Sequence, residues 1–599
     1  MYVVNSSKWD NSRIEGQERL LADVWLEIVA DDCSPTCWSP LFSVVQLIKN
    51  LVTVMEEIDA GKLSMYHMPH CCEELLARLK VGTWLDSVLR EDVLFLKSKL
   101  AWVSKLDGDD AGDRRARTQV LSLLKSFVSK LERVKPWKQQ VEHVAEQIAQ
   151  VGTNFSANTR AIGELINDLM HEGHSRSHLD SWMLQEVVGR AGTESYCIAF
   201  ATGPSLRKEL TNFEVMFQVA CPGTVSSSRN IRIANSIPTD WALKPESVFL
   251  QDTKTRFAVV QVSGVRDQHA AISKARSDLS RHLWSVTFHR ISFERVVSNH
   301  AAVRQKVSDD HDHTIQPVAV TEERQPKLLE YDTLWNFKRL ETIDANTCNA
   351  QTMHALDRVL FWLEQSRRVD PMTALTTEWT ALEFLLSGQG VRHLDAVVKY
   401  VPSYLAPRYP RLVLVDFWKY FLHIKPTLSD DFKKSIGCID ANHVKVRPTC
   451  DFSALLNVCL NDETPNEIEP LIRDYPLLIS KWQRIRRLRP DQKSLHEDVL
   501  RFTQGIVFDL RTCYRARNTV VHDAAMTLTE HLRLLQRLNW VLCRCFDQAI
   551  YSFSRNPSLS VDDLHNCSEM SAEQWLKDVK DITNPCSLEH VVNPPNYFN

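Results

Sequence analysis

Residues 500–516, LRFTQGIVFDLRTCYRA, set the fold class, because their apolar and charged side chains follow the three- and four-residue steps of an amphipathic helix. A second helical stretch follows at 528–546 (LTEHLRLLQRLNWVLCRCF), and two more precede it at 354–368 (HALDRVLFWLEQSRR) and 373–386 (TALTTEWTALEFLL). These patterns predict a helical domain over 331–556.

The first part of the chain shows the same pattern. Apolar residues recur every three or four positions in 40–58, 86–106 and 118–134, and a polar break, LDGDDAGDRR, separates the last two. Only 17 of the 599 residues are glycine, which favours helices over a fold with many tight turns. We therefore predict a helical N-terminal domain over 1–190.

The middle of the chain has a different texture, with short β-branched or aromatic runs separated by Gly, Pro, Ser and Asn. Such runs predict strands, and they are SYCIAFAT (195–202), FEVMFQVA (213–220), IRIANSI (231–237) and TRFAVVQVSG (255–264). A helical stretch follows at 268–286. Residues 191–302 are therefore predicted to form an α+β domain.

Two polar segments complete the predicted layout. Residues 303–330 contain two prolines and no sustained periodicity, which predicts a linker. Residues 557–599 are predicted to form a polar tail with one short helix at AEQWLKDV. The predicted fold is mainly α and multidomain, with a small α+β region in the middle.

Charge and hydropathy narrow the function classes. The chain has 71 basic and 75 acidic residues, and the resulting formal charge of −4 argues against a protein that coats nucleic acid. Its first residues, MYVVNSSKWDNSRIEGQ, do not resemble a signal peptide, and no apolar run reaches the length of a transmembrane helix. The 15 cysteines show no framework spacing. We expect a cytoplasmic protein with reduced thiols and no membrane partner.

Two groups of potential metal ligands carry little weight. The first comprises Cys33, Cys37, His67, His70, Cys71 and Cys72. Its C-x3-C spacing is loose and adjacent cysteines seldom both reach one zinc ion, so buried thiols at helix ends are the more ordinary explanation. The second, DDHDH at 309–313, lies in the predicted linker and is typical of a solvated charge run. Phosphate-loop, dinucleotide and zinc-protease motifs are also missing, so we predict no cofactor and no metal.

The strongest chemical candidate is the stretch YRARNTVVHD, which contains Arg517, Asn518 and His522. An arginine five residues before a histidine is a weak signal, because chance supplies about one such pair in a chain of this composition. Arg295 and His300 have the same spacing. Context separates the two pairs, since YRARNTVVHD follows a long amphipathic helix and the other pair follows strand-like sequence.

The C-terminal part of the chain resembles the HEPN superfamily of α-helical ribonucleases, in particular its ApeA-like branch. Arg517-Asn518-x3-His522 fits the family's R-polar-x(3–5)-H signature, and TEWTALEFLL at 377–386 is similar to that branch's W-x-x-L-E stretch. The resemblance implies a C-terminal HEPN helical bundle with Arg517, His522 and Asn518 as catalytic residues. It also implies an endoribonuclease of the antiviral, abortive-infection type found in bacteria.

The residue types suit RNA cleavage without a metal ion. The substrate's 2′-hydroxyl can attack the neighbouring phosphate when a base removes its proton and an acid protonates the leaving 5′-oxygen. Histidine suits both transfers because its ordinary pKa is about 6.5. Arginine suits the phosphate because its planar fork can hold two oxygens. Asn518 is expected to orient the histidine or to donate to a phosphate oxygen.

Helix geometry constrains this site. Five residues turn an ideal helix by about 500°, which leaves the two side chains about 140° apart. Arg517 and His522 therefore cannot share one face of a regular helix, so either the helix starts or breaks between them or a second chain completes the site. One histidine also cannot easily serve as base and acid. Because a two-fold contact brings like residues together, we predict a homodimer through the C-terminal helices.

Structural roles are also open for these residues and their neighbours. An Arg-Asn pair fits a helix cap or a carboxylate contact, and Trp379 and Glu383 are expected to be packing and orientation residues. The run SKWQRIRRLRP is a candidate RNA-binding surface, but such a run is more often a solvated helix face. The candidate RNA-binding residues are Arg484, Arg486, Arg487 and Arg515.

Two hypotheses follow for the whole protein. In the first it is an endoribonuclease that acts on RNA, with tRNA among the candidate substrates. Residues 1–330 would then sense or regulate, in response to a phage-derived or nucleotide trigger. In the second, the HEPN-like fold is a non-catalytic dimerisation or ligand-docking module. An RNA-cleavage assay distinguishes the two.

Overall fold

The computed structural model describes most of the chain. The residues that it describes are 17–29, 41–80, 83–105, 111–133, 139–144, 155–188, 210–220, 227–228, 230–241, 255–287, 296–306, 315–319, 343, 349–367, 369, 371–386, 393–424, 452–461, 468–490, 492–522 and 528–593.

The chain divides into two compact units. The helical unit comprises Met1–Asp168, Ala191–Cys197 and Pro326–Asn599, and the α+β unit comprises Leu169–Arg190 and Ile198–Gln325. The mainly α fold class is confirmed. Most residues of the predicted N-terminal domain (1–190) and the predicted C-terminal domain (331–556) lie in one compact unit, in which Lys481 of α16 donates to Glu27 of α1.

The N-terminal part of the chain is helical, as predicted. Its helices are α1 (Gln17–Val29), α2 (Val44–Asp59), α3 (His67–Lys80), α4 (Trp84–Val88), α5 (Arg90–Val103), α6 (Ala111–Arg133) and α7 (Phe155–His171). A capping box starts α2, since Ser43 Oγ accepts the Gln46 N–H (3.1 Å) and Gln46 Oε1 accepts the Ser43 N–H (2.7 Å). The predicted helical stretches at 40–58, 86–106 and 118–134 correspond to α2, α5 and α6, respectively.

The α+β unit contains α8 and α9 around a five-stranded sheet. Its elements are α8 (Arg176–Trp182), a π-helical turn (Met183–Val188), β1 (Thr211–Ala220), β2 (Ile231–Ala234), β3 (Thr255–Val265), α9 (Gln268–Thr287), β4 (Val296–Lys306) and β5 (Ile315–Ala319). The strand order is β2-β3-β1-β4-β5 and every pairing is antiparallel. Alternate residues of β1, among them Val215 and Phe217, join the core formed with α9, while Met216 joins Trp241 in a second cluster.

The predicted strands at 213–220, 231–237 and 255–264 and the helix at 268–286 are confirmed, and the predicted strand at 195–202 lies outside the described residues. Within the predicted linker at 303–330, residues 303–306 are the end of β4 and residues 315–319 form β5. The polar sequence conceals β4, since Arg304 lies directly opposite Glu214 in the sheet and its Nε donates to Glu214 Oε2 (2.7 Å). A charged strand position is thus buried as an ion pair.

The C-terminal part contributes the largest group of helices. They are α10 (Ala350–Ser366), α11 (Pro371–Leu386), α12 (His393–Leu405), α13 (Tyr409–His423), α14 (Phe452–Leu460), α15 (Ile468–Ile472), α16 (Pro476–Arg486), α17 (Lys493–His522), α18 (Leu528–Arg555), α19 (Val561–Lys580) and α20 (Leu588–Val592). Helix α11 packs on α10 and α18, and α17 packs on α11, α12 and α18. Among the described helices, none combines the length and apolar character needed to cross a bilayer.

The predicted short helix at AEQWLKDV is part of a longer helix, α19 (Val561–Lys580), within the predicted polar tail. Helix α19 buries a stripe of residues at three- and four-residue steps, including Leu564, Trp575 and Val579, and Trp575 Nε1 donates to the His590 carbonyl (3.1 Å). The segment looks polar because the outward faces of the helix carry most of its residues. Its apolar residues form one stripe, which is sufficient to dock a surface helix.

A buried lysine joins the two ends of the helical unit. Lys481 on α16 is 0% exposed, and its Nζ donates to Glu27 Oε1 on α1 (2.7 Å) and to Asp416 Oδ2 on α13 (2.6 Å). The ammonium also lies 4.3 Å from the ring centroid of Tyr420. Because this lysine neutralises two buried carboxylates, α1 is held against two helices of the C-terminal part.

We predict that Lys481→Met destabilises the protein by about 3–5 kcal/mol, because removing the ammonium leaves two buried carboxylates uncompensated. Lys399→Met is the matched control, since Lys399 pairs with Glu569 at the surface and should cost at most about 1 kcal/mol. Urea unfolding of both variants measures the difference. Equal stability of the two variants would contradict the role given to the buried lysine.

Candidate active site

The candidate motif lies at the C-terminal end of α17, the longest helix of the unit. The helix is continuous from Lys493 to His522, so it neither starts nor breaks between Arg517 and His522. On a regular helix these two residues point about 140° apart. The continuous helix excludes the first of the two predicted arrangements, a helix that starts or breaks between the two residues. The second arrangement, in which another chain completes the site, stays a prediction. The imidazole of His522 lies outside the described residues.

Arg517 and Asn518 are both half-buried and contact each other. Arg517 Nη1 donates to Asn518 Oδ1 (3.1 Å), and Arg517 Nε is buried with no hydrogen-bond partner among the described residues. Asparagine therefore orients the guanidinium here. A neutral acceptor leaves the positive charge of Arg517 without a carboxylate at this contact, which suits an arginine that receives a phosphate.

Helix α3 covers the neighbouring face of α17. Glu73 Oε2 accepts from Arg511 Nη1 (3.0 Å), and Glu74 Oε2 accepts from Arg515 Nη2 (3.3 Å). The His67 ring stacks on Tyr514, with centroids 5.8 Å apart. The N-terminal part thus supplies two carboxylates to the basic helix that carries the motif. Sequence reasoning missed this cover, because nothing in CCEELL identifies a partner more than four hundred residues away.

The W-x-x-L-E stretch on α11 also contacts Tyr514 of α17. Trp379 on α11 is fully buried, and its ring centroid lies 5.4 Å from that of Tyr514. Its Nε1 donates to Glu383 Oε1 (2.7 Å), one helical turn away on the same helix. These contacts are those of packing and orientation residues.

On α3, His67, Cys71 and Cys72 are buried and His70 is half-buried. Burial, with Arg515 and His70 as further causes, lowers the pKa of His67 to about 4, so its imidazole is neutral at physiological pH. Burial also raises the pKa values of the Cys71 and Cys72 thiols. Residues 30–40, with Cys33 and Cys37, and residues 309–313 lie outside the described residues.

The predicted RNA-binding arginines have acceptors within the chain. Their partners are the Tyr409 hydroxyl for Arg484 Nε (3.0 Å), the Cys459 carbonyl for Arg486 Nη1 (3.2 Å), the Asp498 carboxylate for Arg487 (2.9 and 3.0 Å) and Glu74 for Arg515 (3.3 Å). Lys481, from the same basic run, is the buried lysine described above. These contacts favour a structural role for the run. Of these four arginines, Arg487 is exposed and the other three are half-buried.

A buried acid lies inside the helical unit. Glu378 on α11 is 0% exposed, and its Oε1 accepts from Ser366 Oγ (3.0 Å) and Asn539 Nδ2 (2.9 Å). Its Oε2 has no hydrogen-bond partner among the described residues. Burial raises the pKa of Glu378 from 4.5 to about 8, so the carboxyl group is protonated at neutral pH.

No known protein family, curated protein or solved structure matches the chain.

We predict that Glu378→Gln gains stability relative to wild type as pH rises from about 4.5 to about 8. The carboxyl group has a higher pKa in the folded than in the unfolded chain, so its stabilising effect is fully present below about 4.5 and is lost as pH approaches 8. Glutamine keeps the shape and does not ionise. Urea unfolding across this range measures the difference, with the exposed Glu573→Gln as control. A difference that does not change with pH would contradict the protonated state.

Proposed function

We propose that the chain is a metal-independent endoribonuclease of the HEPN type, with Arg517, Asn518 and His522 as its catalytic residues. The observation that carries the proposal is the state of Arg517. Its guanidinium is half-buried, is oriented by a neutral asparagine, and has a buried Nε with no partner among the described residues. An arginine with only a structural role would usually meet a carboxylate when it is desolvated to this extent.

The proposed reaction breaks the bond between phosphorus and the 5′-oxygen. One His522 removes the proton of the 2′-hydroxyl, the 2′-oxygen attacks phosphorus, and a second imidazole protonates the departing 5′-oxygen. Arg517 donates to the non-bridging oxygens, whose negative charge increases in the transition state. The products are a 2′,3′-cyclic phosphate and a free 5′-hydroxyl, so no water or metal ion enters the cleavage step.

The proposal requires two copies of the chain. Arg517 and His522 diverge on a continuous helix, and one imidazole does not serve as base and acid in one step. A two-fold contact through α17 and its neighbours would place two motifs around one phosphodiester. In this proposal α10, α11, α17 and α18 form the HEPN-type bundle of residues 331–556.

The N-terminal helices fit a regulatory role in this scheme. Glu73 and Glu74 compete with RNA phosphates for Arg511 and Arg515, so α3 restrains the basic face next to the motif. A cytoplasmic ribonuclease needs such restraint to spare its own cell. We propose an abortive-infection effector that is released by a phage-derived or nucleotide trigger and that cleaves cellular RNA, with tRNA as a candidate substrate.

We predict that His522→Ala lowers the rate of RNA cleavage about 10²–10⁴-fold and that Arg517→Ala lowers it about 10²–10³-fold, because each removes a group that acts in the transition state. Cleavage of total RNA and of tRNA in EDTA measures the loss, and sequencing of the RNA ends identifies the products.

Two control variants keep the motif intact. His300→Ala alters the other Arg-x4-His pair, and Arg501→Ala removes an exposed arginine of α17 that pairs with Asp498. Both should retain wild-type cleavage. Cleavage that persists in His522→Ala, or that EDTA abolishes, would contradict the proposed chemistry. Identical phage yields with wild type and His522→Ala would count against the defence role.

We predict that the full chain sediments and elutes as an even assembly, with a mass of at least twice 68.8 kDa. The two-fold site is the reason, since a single chain holds only half of the groups that the reaction uses. Light scattering coupled to size-exclusion chromatography measures the mass. A monomer that still cleaves RNA would contradict this prediction.

A further inference from the structure

Three potential ligand side chains converge in the α+β unit. His174 lies between α7 and α8, His178 lies on α8, and Asp267 lies between β3 and α9. One ligand atom of each lies within 4.8 Å of the other two. His174 Nδ1 is 3.9 Å from Asp267 Oδ2, and the two imidazole rings are nearly parallel, with centroids 5.4 Å apart.

The backbone fixes the position of His174. Gly173 adopts φ +100°, its N–H donates to the Met170 carbonyl (3.0 Å), and the His174 N–H donates to the Leu169 carbonyl (3.1 Å). This pair of bonds is the Schellman arrangement that ends a helix. The next residue, Ser175, accepts the His178 N–H (3.1 Å) and starts α8. The two histidines therefore flank a helix start whose conformation is set by local bonds.

Asp267 is oriented just as firmly. Its Oδ1 accepts from Ser175 Oγ (2.9 Å) and from the Ala270 N–H (2.8 Å), and its Oδ2 accepts from the Ser175 N–H (2.9 Å). A carboxylate oxygen has two lone pairs, so Oδ2 keeps acceptor capacity on the side of His174. Donors that hold a ligating carboxylate in place are typical of metal sites.

Distances and burial suit a small divalent ion. Tetrahedral zinc with bonds of about 2.0–2.1 Å places its ligand atoms about 3.3 Å apart. The 3.9 Å separation between His174 and Asp267 therefore needs only a small contraction. His174 and Asp267 are 1% and 5% exposed, whereas His178 is half-buried and leaves an entry path from solvent.

We propose that His174, His178 and Asp267 bind one divalent transition-metal ion, with Zn²⁺ favoured by the two-imidazole, one-carboxylate donor set. The ion would hold the start of α8 against the turn between β3 and α9, and three protein ligands leave a fourth position for water. This site is independent of the ribonuclease proposal, which uses no metal.

The experiment uses the full chain after removal of metal with EDTA. Zn²⁺ is added back and the bound metal is measured after gel filtration. Co²⁺ serves as a second probe, because its visible absorption reports tetrahedral coordination. The expected result is about one ion per chain, a rise in melting temperature with Zn²⁺, and displacement of Co²⁺ by Zn²⁺.

Three variants and one control locate the ion. His178→Gln and Asp267→Asn should lose the bound ion, and Ser175→Ala should bind it about 10–100-fold more weakly, because the carboxylate loses one of its orienting donors. His354→Gln, at an exposed position of α10, should bind like wild type. Circular dichroism checks that each variant is folded.

Two outcomes would overturn the proposal. Wild type that takes up no Zn²⁺ and gives no tetrahedral Co²⁺ spectrum is one of them. Unchanged affinity in folded His178→Gln is the other. Should a ligand variant fail to fold, the wild-type Co²⁺ titration still decides the outcome, because it needs no variant. Loss of RNA cleavage is not a readout in this experiment, so failure here and failure of the nuclease proposal are distinguishable.

Discussion

The ammonium of Lys481 between Glu27 and Asp416 ties the beginning of the chain to its last third. A charge buried in this way is tolerated only when partners compensate it, and both partners must therefore be in place before the helices can close around it. Nearer to the motif, arginines of α17 contact glutamates of α3, and these ion pairs also join distant parts of the sequence. The helical unit is thus one structure built from both ends of the sequence.

Local periodicity identified most of the elements, while their partners stayed hidden. The steps of apolar residues predicted α2, α5, α11 and α17, and the β-branched runs predicted β1 and β3, because these signals lie within a few residues. Burial of Arg304 against Glu214 made β4 look like linker, and the narrow apolar stripe of α19 made it look like tail. The pairing of helices that are distant in the sequence depends on tertiary packing. A short stretch of sequence does not reveal that pairing.

Only the part of the candidate site that lies within a few consecutive residues was predictable from the sequence. Arg517 and Asn518 are adjacent and carry a recognisable motif, so the sequence located them. The carboxylate cover from α3 and the convergence of His174, His178 and Asp267 join segments far apart in the chain, and only coordinates bring them together. The arginines of α16 likewise meet acceptors, such as Tyr409 and Asp498, that the sequence around them does not reveal.

The long separation between Glu27 and Lys481 also orders events during synthesis. They lie 454 residues apart, so at about 5–20 residues per second the ribosome delivers the lysine roughly 20–90 s after the glutamate. Throughout that interval α1 lacks the cation that allows its carboxylate to leave water. The helical unit therefore closes only when translation is nearly complete, and α17, which follows α16 in the chain, emerges later still. The motif on α17 is therefore synthesised only after Lys481 is available to Glu27.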